Sequence, residues 1–259
     1  MVASKLTLSG TNTYLVGKGT NRILIDTGEG KPSWFRHLSA VLVSENVSIS
    51  HALITHWHLD HVGGIKDLRS LCPNVLIHRC TTPDRPDPSI ENSIKHRQIF
   101  EAEGATLQAF HCPGHTADHM GVILHEEDAM FTGDNVLGHG TAVFEDLAVY
   151  LDSLGRMRDQ FKGRAYPGHG AVIENGPARI DEYISHRQQR EQEILQALSG
   201  MDREATPMEL VKVVYKDVPE NLHVPAAGGV VQVLQKLSGD GKVARTGNGN
   251  WQMAGKAAL

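Results

Sequence analysis

The amino-acid sequence predicts an α/β protein in which sheets are covered by helices, followed by a small module of different character. Up to His169, short apolar runs bounded by turn residues alternate with amphipathic helical patterns. Interleaving of this kind is typical of layered α/β architectures. After His169 the pattern changes to successive helices and one closing hairpin, which indicates a separate module.

The first elements are expected to be two strands, a helix and a third, buried strand. The strands TNTYLVG and NRILIDTG are joined by a turn at Gly17-Lys18-Gly19-Thr20. The segment KPSWFRHLSAVLVSENV has a helical period, and Pro32 stands near its start, where the first turn tolerates proline. The strand HALIT ends at Thr55, so His56 begins the loop that follows it.

The rest of the α/β region is expected to add two helices and four strands. The helices are GGIKDLRSLC and DLAVYLDSLGRMRDQF, and between them lie the strand-like segments NVLIHR, TLQAFHC, MGVILHE and DAMFTGD. Residues 81–92, TTPDRPDPSIEN, are rich in Pro and Asp, so this loop is expected to be the most mobile segment.

The C-terminal part is expected to form a long helix and a winged-helix-like module. The long helix runs from Pro177 to about Leu198 and ends at Ser199-Gly200. TPMELVKVVYKDV is a second helix with Thr206 as its N-cap, residues 226–238 are a third, and GKVART and WQMA form a hairpin. The predicted domains are a catalytic core over residues 1–175, a connecting helix over 176–199 and the module over 200–259.

Composition and charge narrow the range of functions. The formal net charge of −5 at pH 7 is not that of a protein that holds nucleic acid through bulk charge. The three cysteines form no disulfide pattern, which fits a reducing compartment. No segment reaches the roughly 18 apolar residues of a membrane span, and the N-terminus has no apolar leader. We expect a cytoplasmic protein without a membrane partner, and its oligomeric state is not predicted.

The segment THWHLDH, residues 55–61, carries more metal ligands than one ion needs. In an extended loop His56 and His58 are two residues apart and converge on one ion, whereas Asp60 and His61 are adjacent and diverge toward a second. The loop therefore predicts a site for two ions, which other segments must complete.

Three further ligands stand at strand ends beside glycine-rich turns: His115 in CPGHTADH, Asp134 in FTGD and His169 in YPGHG. Asp134 is expected to bridge the two ions. The other expected ligands are His56, His58 and His115 for one ion, and Asp60, His61 and His169 for the second. Histidine and carboxylate ligands favour two zinc ions, and manganese or iron are possible.

His119 and Asp60 are the candidate catalytic residues. His119 follows His115 in the same segment and is expected either to orient a ligand or to shuttle a proton. Cys112 is interpreted as a small buried hydrophobe rather than a soft metal ligand. The remaining histidines near the expected site, His111, His125 and His139, are interpreted as non-ligands.

Two residues after the bridging aspartate are expected to line the pocket. They are His139 and Glu145, in the segment LGHGTAVFEDL. Their position just past Asp134 is the whole basis of this expectation.

The ordered ligand set resembles that of the metallo-β-lactamase superfamily. HxHxDH followed by His, Asp and His matches its motifs, and GTNTYLVG and ILIDTGEG match the two strands before the metal loop. The resemblance implies an αββα sandwich with a two-metal site at one edge of its sheets. It also implies that Asp26 supports the metal loop, and Thr55 at the start of that loop is expected to share this role.

A closer resemblance covers nearly the whole chain. VFEDL, YPGHG, EYISHRQQRE and MELVKVVYKDVPENLH are similar to the lactamase-beta-like branch that carries a C-terminal winged helix. Within it, ALITHWHLDHVGG, FHCPGHTADHM and ENLHVPAAGGVVQVLQKL look most like fungal thioesterases that release aromatic polyketides, including the atrochrysone carboxyl carrier-protein thioesterases. The implied reaction is hydrolysis of a polyketide thioester on the acyl carrier protein domain of a polyketide synthase.

Two alternative functions use the same metals. An endoribonuclease acting on single-stranded RNA needs a basic track, but the C-terminal 60 residues hold seven basic and six acidic residues and are nearly neutral. A glyoxalase-II-like hydrolase of a small thioester is the further alternative. An iron-dependent oxygen-reducing member is expected to have Glu in place of His58, and a non-enzymatic scaffold is disfavoured because every ligand is present.

Two further expectations concern the ends of the chain. Family members have another strand before GTNTYLVG, whereas only MVASKLTLS precedes it here, so either the first sheet lacks an edge strand or the start is internal to the gene. The apolar and small residues of PENLHVPAAGGVV suggest that the C-terminal module and the long helix cover the site and shape an aromatic acyl pocket.

Overall fold

A computed structural model describes residues 3–5, 10–81, 90 and 92–255. The chain divides into two compact units, one of Met1–Glu145 with Val149–Asp181 and one of Asp146–Ala148 with Glu182–Leu259. The long helix belongs to both units by its contacts. The predicted domain boundaries at residues 175 and 199 stay predictions.

The first sheet of unit one has six strands in sequence order. β1 to β3 are antiparallel and β3 to β6 are parallel. The strands are β1 (Ala3–Lys5), β2 (Tyr14–Val16), β3 (Asn21–Ile25), β4 (Ser48–Ile54), β5 (Leu76–Arg79) and β6 (Asn92–Ser93). The helices between these strands are α1 (Pro32–Glu45), α2 (Leu59–Val62) and α3 (Ile65–Leu71).

The second sheet has five strands in the order β11-β10-β9-β8-β7. All neighbours are antiparallel except β10 and β11, which are parallel. The strands are β7 (Ile99–Ala102), β8 (Ala105–His111), β9 (Met120–Leu124), β10 (Ala129–Gly133) and β11 (Ala165–Pro167). The helix α4 (Leu147–Arg158) lies with this sheet, since Tyr150 donates a hydrogen bond to the Asn135 carbonyl.

The alternation of side chains along β3 explains the layers. Ile23 and Ile25 point into a core between the two sheets, where residues such as Phe131 of the second sheet join them. Leu24, between them in sequence, belongs to a second core with α1 residues such as Trp34. Both faces of the first sheet are therefore buried, and the predicted αββα sandwich is confirmed.

Unit two contains the helices and the hairpin predicted after the long helix. The elements are the C-terminal part of α5 (Gly176–Ser199), α6 (Pro207–Val214), α7 (His223–Gly239) and the paired strands β12 (Val243–Arg245) and β13 (Trp251–Met253). Thr206 caps α6 as predicted: its side chain accepts from the Glu209 N–H, and the Glu209 side chain accepts from the Thr206 N–H. The winged-helix outline is confirmed.

Several local expectations need correction. The possibility that the first sheet lacks an edge strand is wrong, because β1 pairs with β2 in the register Ala3 to Val16. The short strand β7 was not predicted, and β11 was expected only as the strand end before His169. Most of the predicted mobile loop, residues 82–89 and 91, lies outside the described residues. Within the described residues, no helix is long and apolar enough to cross a membrane.

Strand directions bring the expected ligand loops to one edge of the second sheet. β8 and β10 are both antiparallel to β9, so they run the same way, and β11 is parallel to β10. Their C-terminal ends therefore share one edge, and His115, Asp134 and His169 follow those ends. Met120 at the start of β9 donates its N–H to the Thr55 carbonyl, which joins the loop after β4 to this edge.

Candidate metal centre

Seven side chains from four loops converge on one small volume. In each of three groups the possible ligand atoms lie within 4.8 Å of one another. The groups are His56, His58 and His115; His56, His61 and Asp134; and Asp60, His61 and His169. The first and last are the two predicted ligand triads, and we call them half-site one and half-site two. Their roles as ligands stay predictions.

Half-site one consists of three imidazoles. His58 Nδ1 lies 3.0 Å from His56 Nε2 and 3.0 Å from His115 Nε2. Burial lowers the pKa of His56 well below its usual value and also lowers the pKa of His58. Neutral imidazoles that turn their ring nitrogens toward a common point are the donor set that a divalent cation such as zinc requires.

Half-site two combines a carboxylate with two imidazoles. Asp60 Oδ2 lies 3.4 Å from His61 Nε2 and 3.1 Å from His169 Nε2. His61 Nε2 and Asp134 Oδ1 are buried and have no hydrogen-bond partner among the described residues. Buried polar atoms without partners are rare in folded proteins, and a cation between these two atoms would satisfy both. The residues present therefore fit a bound metal.

Asp134 faces both half-sites through one oxygen. Asp134 Oδ2 is 3.7 Å from His115 Nε2 of half-site one and 3.2 Å from His169 Nε2 of half-site two. Burial raises the pKa of this carboxyl, but its electrostatic interactions with His169 and His61 outweigh burial and lower the pKa overall. Asp134 is therefore an anion placed where a bridging ligand is needed.

The charge of half-site two is visible in its histidines. Burial opposes protonation of His61, yet the carboxylates of Asp26 and Asp134 raise its pKa well above the usual value. Hydrogen bonds with Asp134 and then with Asp60 raise the pKa of His169 to about 10. Without a metal, protons on these rings take the place of the cation that the carboxylates attract.

Asp26 orients half-site two from behind. Its Oδ2 accepts from His61 Nδ1 at 2.8 Å, and its Oδ1 accepts from the Thr55 N–H at 2.8 Å. The Thr55 hydroxyl also donates to Asp26 Oδ2, at 2.9 Å. Asp26 holds these bonds with a φ of 57°, in the left-handed region that costs a non-glycine residue free energy. The predicted supporting positions of Asp26 and Thr55 agree with these contacts.

Hydrogen bonds also set the tautomers in half-site one. His115 Nδ1 donates to the Val143 carbonyl at 2.8 Å, which leaves Nε2 as the lone pair. His56 Nδ1 lies 3.0 Å from the Thr55 hydroxyl, so its Nε2 is likewise the nitrogen directed at the site.

The two roles considered for His119 are separated by its contacts. The ring is fully buried, its Nε2 accepts from the Asp134 N–H at 3.1 Å, and its Nδ1 lies 3.4 Å from Cys112 Sγ. A proton shuttle needs a ring nitrogen that reaches substrate or water, and both nitrogens of His119 are occupied. These contacts favour the orienting role, through the backbone of Asp134, over the proton shuttle, and the role of His119 stays a prediction.

The residues expected to line the pocket also have specific contacts. Glu145 Oε2 accepts from the Ala117 N–H at 3.1 Å, and the Glu145 N–H donates to the Gly114 carbonyl at 2.7 Å. Glu145 thus holds the loop that carries His115. His139 is exposed beside Gly170, where an added Cβ would lie 2.5 Å from its Nδ1. Neither contact tests whether these side chains meet a substrate.

Cys112 and the excluded histidines lie outside the ligand groups of the described residues. Burial raises the pKa of the Cys112 thiol to about 12, and its Sγ accepts from the Gly121 N–H at 3.1 Å. A thiol held this way behaves as part of the core, as predicted.

Thr11 and Asn12 also support the site, and neither was predicted from the sequence. The Thr11 hydroxyl donates to Asp60 Oδ2 at 2.9 Å. The Asn12 amide donates to the carbonyls of Pro167 and Gly170, both at 2.9 Å, and so fixes the loop that carries His169. Their sequence signal was a polar run directly before a buried strand, which by itself does not name its partners.

Gly168 is the position where the site leaves no room for a side chain. An added Cβ would lie 2.2 Å from Asp134 Oδ1 and 3.0 Å from His61 Cε1. The glycine before His169 therefore lets the loop pass directly beside the bridging carboxylate.

Comparisons with known proteins agree with this geometry. The family model of the metallo-beta-lactamase superfamily matches residues 6–169, and that of the beta-lactamase associated winged helix domain matches residues 206–251. A protein of Aspergillus chevalieri named atrochrysone carboxyl ACP thioesterase is 46% identical over 92% of this chain and 78% of its own length. A protein of Drosophila melanogaster named beta-lactamase-like protein 2 homolog is 46% identical over 93% of this chain and 86% of its own length.

A solved structure of a beta-lactamase domain protein from Burkholderia ambifaria has a TM-score of 0.79 to this chain at 17% identity. It covers 97% of this chain and 92% of that chain. At this level of identity the likeness shows the shared fold and nothing about substrate.

Proposed function

Because the chain belongs to the metallo-β-lactamase superfamily, we propose that it is a hydrolase that uses two divalent ions, zinc by preference, to cleave an acyl thioester on a carrier protein. The observation that carries the proposal is the position of Asp134, whose Oδ2 lies 3.7 Å from His115 Nε2 and 3.2 Å from His169 Nε2. One carboxylate between two ligand triads is the arrangement that a two-metal hydrolase needs.

The proposed substrate is an aromatic polyketide held as a thioester on the acyl carrier protein domain of a polyketide synthase. Its support is the 46% identity, over 92% of this chain, to a relative named atrochrysone carboxyl ACP thioesterase. That match extends through the C-terminal winged helix as well as the metal-binding unit. The released product would be the polyketide acid. The cytoplasmic location stays a prediction.

In the proposed mechanism, the chain's own residues position the reacting groups. Half-site one and half-site two would hold the ions, with the Asp134 carboxylate between the two half-sites. Bound ions would supply Lewis acidity for the thioester carbonyl and a lowered pKa for a water molecule. Asp26 keeps the proton of His61 on Nδ1, so that Nε2 points into the site. His119 holds the Asp134 backbone.

The thiolate leaving group of a thioester does not need protonation by a buried general acid. A free cysteine thiol has a pKa of about 8.5, so a thiolate can leave near neutral pH without a strong general acid. His119, with both ring nitrogens occupied, is not required to supply a proton. Asp60, which is proposed as a ligand through Oδ2, is a stronger candidate than His119 for a direct catalytic role because it belongs to half-site two.

The proposal is tested by giving the metal-loaded full chain three substrates in parallel. These are an aromatic acyl thioester on a carrier protein, a small glutathione thioester and a single-stranded RNA. We expect turnover of the carrier-protein thioester, loss with chelator and recovery with added zinc. Turnover of RNA alone would replace the proposal with the endoribonuclease alternative, and turnover of the glutathione thioester alone would favour the glyoxalase-like one.

A further inference from the structure

Two large apolar side chains are exposed on the loops that build half-site one. Leu59 stands between His58 and Asp60 and is 79% exposed. Val143 is 76% exposed, and its carbonyl accepts the hydrogen bond from His115 Nδ1 at 2.8 Å. Single exposed apolar residues are common on protein surfaces. Leu59 and Val143 differ from the others because they lie on loops that carry proposed metal ligands.

Both side chains are tied to the same half of the metal centre. His58 Nδ1 and His115 Nε2 lie 3.0 Å apart, so the residue after His58 and the residue bonded to His115 border one half-site. Leu59 is also the first residue of α2, in which His61 is the buried residue. An acyl group whose carbonyl reaches this half-site would pass close to both side chains.

Half-site two has a border of different chemistry. Thr11 contributes a hydroxyl that binds Asp60. Gly168 and Gly170 contribute no side chain, and an added Cβ at either would lie within 2.5 Å of Asp134 Oδ1 or His139 Nδ1 respectively. This side carries the Thr11 hydroxyl and the His139 imidazole and no large apolar side chain among the residues just named, which suits a polar chain with amide bonds.

From this contrast we infer that Leu59 and Val143 contact the acyl chain of the substrate, so that the acyl group lies on the side of half-site one. The polar thiol arm then leaves on the side of half-site two. The inference rests on the proposed function, and it deepens it by naming two residues that select a large apolar acyl group. Burial of these side chains against an aromatic ring system supplies the binding free energy.

Kinetics with two thioesters of the same thiol test the inference. The substrates are the N-acetylcysteamine thioesters of 1-naphthoic acid and of acetic acid, which differ in the acyl group alone. Leu59→Ser and Val143→Ser are each expected to lower kcat/KM for the naphthoyl thioester about tenfold, the scale on which burial of one such side chain acts. The acetyl thioester should change less than about twofold, since it has no large apolar surface to bury.

Val43→Ser is the matched control. Val43 is 78% exposed and lies near the C-terminal end of α1. The next strand, β4, separates it from the metal loop, which follows the C-terminal end of that strand. It should leave both thioesters unchanged. The inference is overturned if the Leu59 and Val143 variants lower both thioesters by one factor, or if the control changes the naphthoyl selectivity equally.

A binding measurement separates this inference from the proposed function. The dissociation constant of 1-naphthoate for the zinc-loaded protein is measured by calorimetry, with zinc content checked for each variant. Leu59→Ser is expected to weaken binding about tenfold, and Leu59→Met to retain it, since volume and apolar character are kept. If the unmodified protein hydrolyses neither thioester, the proposed function fails while this result still decides the inference. Equal binding by the unmodified protein and Leu59→Ser overturns it.

Discussion

Half-site one and half-site two present the same number of ligands but are held in different ways. In half-site one three imidazoles lie together, and burial lowers the pKa of two of them, His56 and His58. Their Nδ1 contacts are with the Thr55 hydroxyl, for His56, and the Val143 carbonyl, for His115. In half-site two, a carboxylate and two histidines of raised pKa are fixed by Asp26 and by Thr11. Half-site two, which has the greater negative charge, is also the half-site held by side chains from outside the metal loop, Asp26 and Thr11.

The difference shows how the negative charge of the carboxylates in and beside half-site two is stabilised. Asp60, Asp134 and Asp26 are three acidic side chains around His61, and such an arrangement repels itself unless cations or donors lie between the carboxylates. Donors from Thr11 and Thr55 hold the Asp60 and Asp26 carboxylates in position. We therefore expect half-site two to depend on its supporting residues more than half-site one does.

Replacing the shared carboxylate should have the largest effect, because it removes the element that the half-sites have in common. For Asp134→Ala we expect hydrolysis to fall by more than about 100-fold, beyond the usual effect of losing a supporting residue. Zinc content by mass spectrometry should drop in both half-sites. Asp181→Asn, at an exposed aspartate of α5, is the control. Full activity in Asp134→Ala would remove the bridging role.

Asp26→Asn should affect the two half-sites unequally. The amide keeps the size of the side chain but removes the charge that holds His61 Nδ1 at 2.8 Å, so His61 loses its fixed orientation. We expect affinity at half-site two to fall about 10- to 100-fold. Half-site one should change less. Titration with zinc and a chromophoric chelator resolves the two steps, and equal weakening of both would contradict the comparison.

The pH dependence of metal binding should distinguish the half-sites next. The folded pKa of His169 is raised from 6.5 to about 10, so its protonated form stabilises the metal-free protein below pH 6.5, and that stability is lost as pH rises toward 10. A metal must displace this proton. Zinc affinity at half-site two should therefore rise with pH in this window, by about tenfold per unit for each displaced proton.

Half-site one should behave differently over the same pH range. Burial lowers the pKa of both His56 and His58, so these rings are already neutral at pH 7 and release no proton. Thermal unfolding with and without zinc at pH values from 6.5 to 10 measures both trends. Metal-free stability that increases with pH in this window would contradict the assignment to His169.

The smallest effect is expected for Thr11→Val. The change keeps the shape of the side chain and removes the hydroxyl that donates to Asp60 Oδ2 at 2.9 Å. Loss of one hydrogen bond to a charged group should weaken zinc binding at half-site two about tenfold or less. Thr20→Val, at an exposed threonine of the turn before β3, is the control. A loss as large as that of Asp134→Ala would mean that Thr11 is itself a ligand.

The convergence of the seven proposed ligands was predictable from the sequence because their pattern is local. The spacing of His56, His58, Asp60 and His61 already separates two ions, and the other three ligands stand at strand ends with glycine-rich turns. The direction of those strands then brings the loops together. Alternation and periodicity predicted the α/β class and the winged-helix outline, whereas the αββα sandwich was implied by the family resemblance.

The supporting residues were less predictable because their partners are distant in sequence. Asn12 contacts the carbonyls of Pro167 and Gly170, and no local pattern specifies such a pair. The contacts that favour an orienting role for His119, its burial and both ring partners, exist only in the folded protein. The short strand β7 lacks the length that makes a strand pattern visible. The covering role of the C-terminal module stays a prediction.

The central claim, two ions joined by Asp134, is tested most directly by anomalous diffraction from crystals of the zinc-loaded protein. We expect two zinc peaks. One should be coordinated by His56 Nε2, His58 Nδ1 and His115 Nε2, and the other by Asp60, His61 and His169. The Asp134 carboxylate should coordinate both. A single peak, or two peaks that Asp134 does not join, would contradict it.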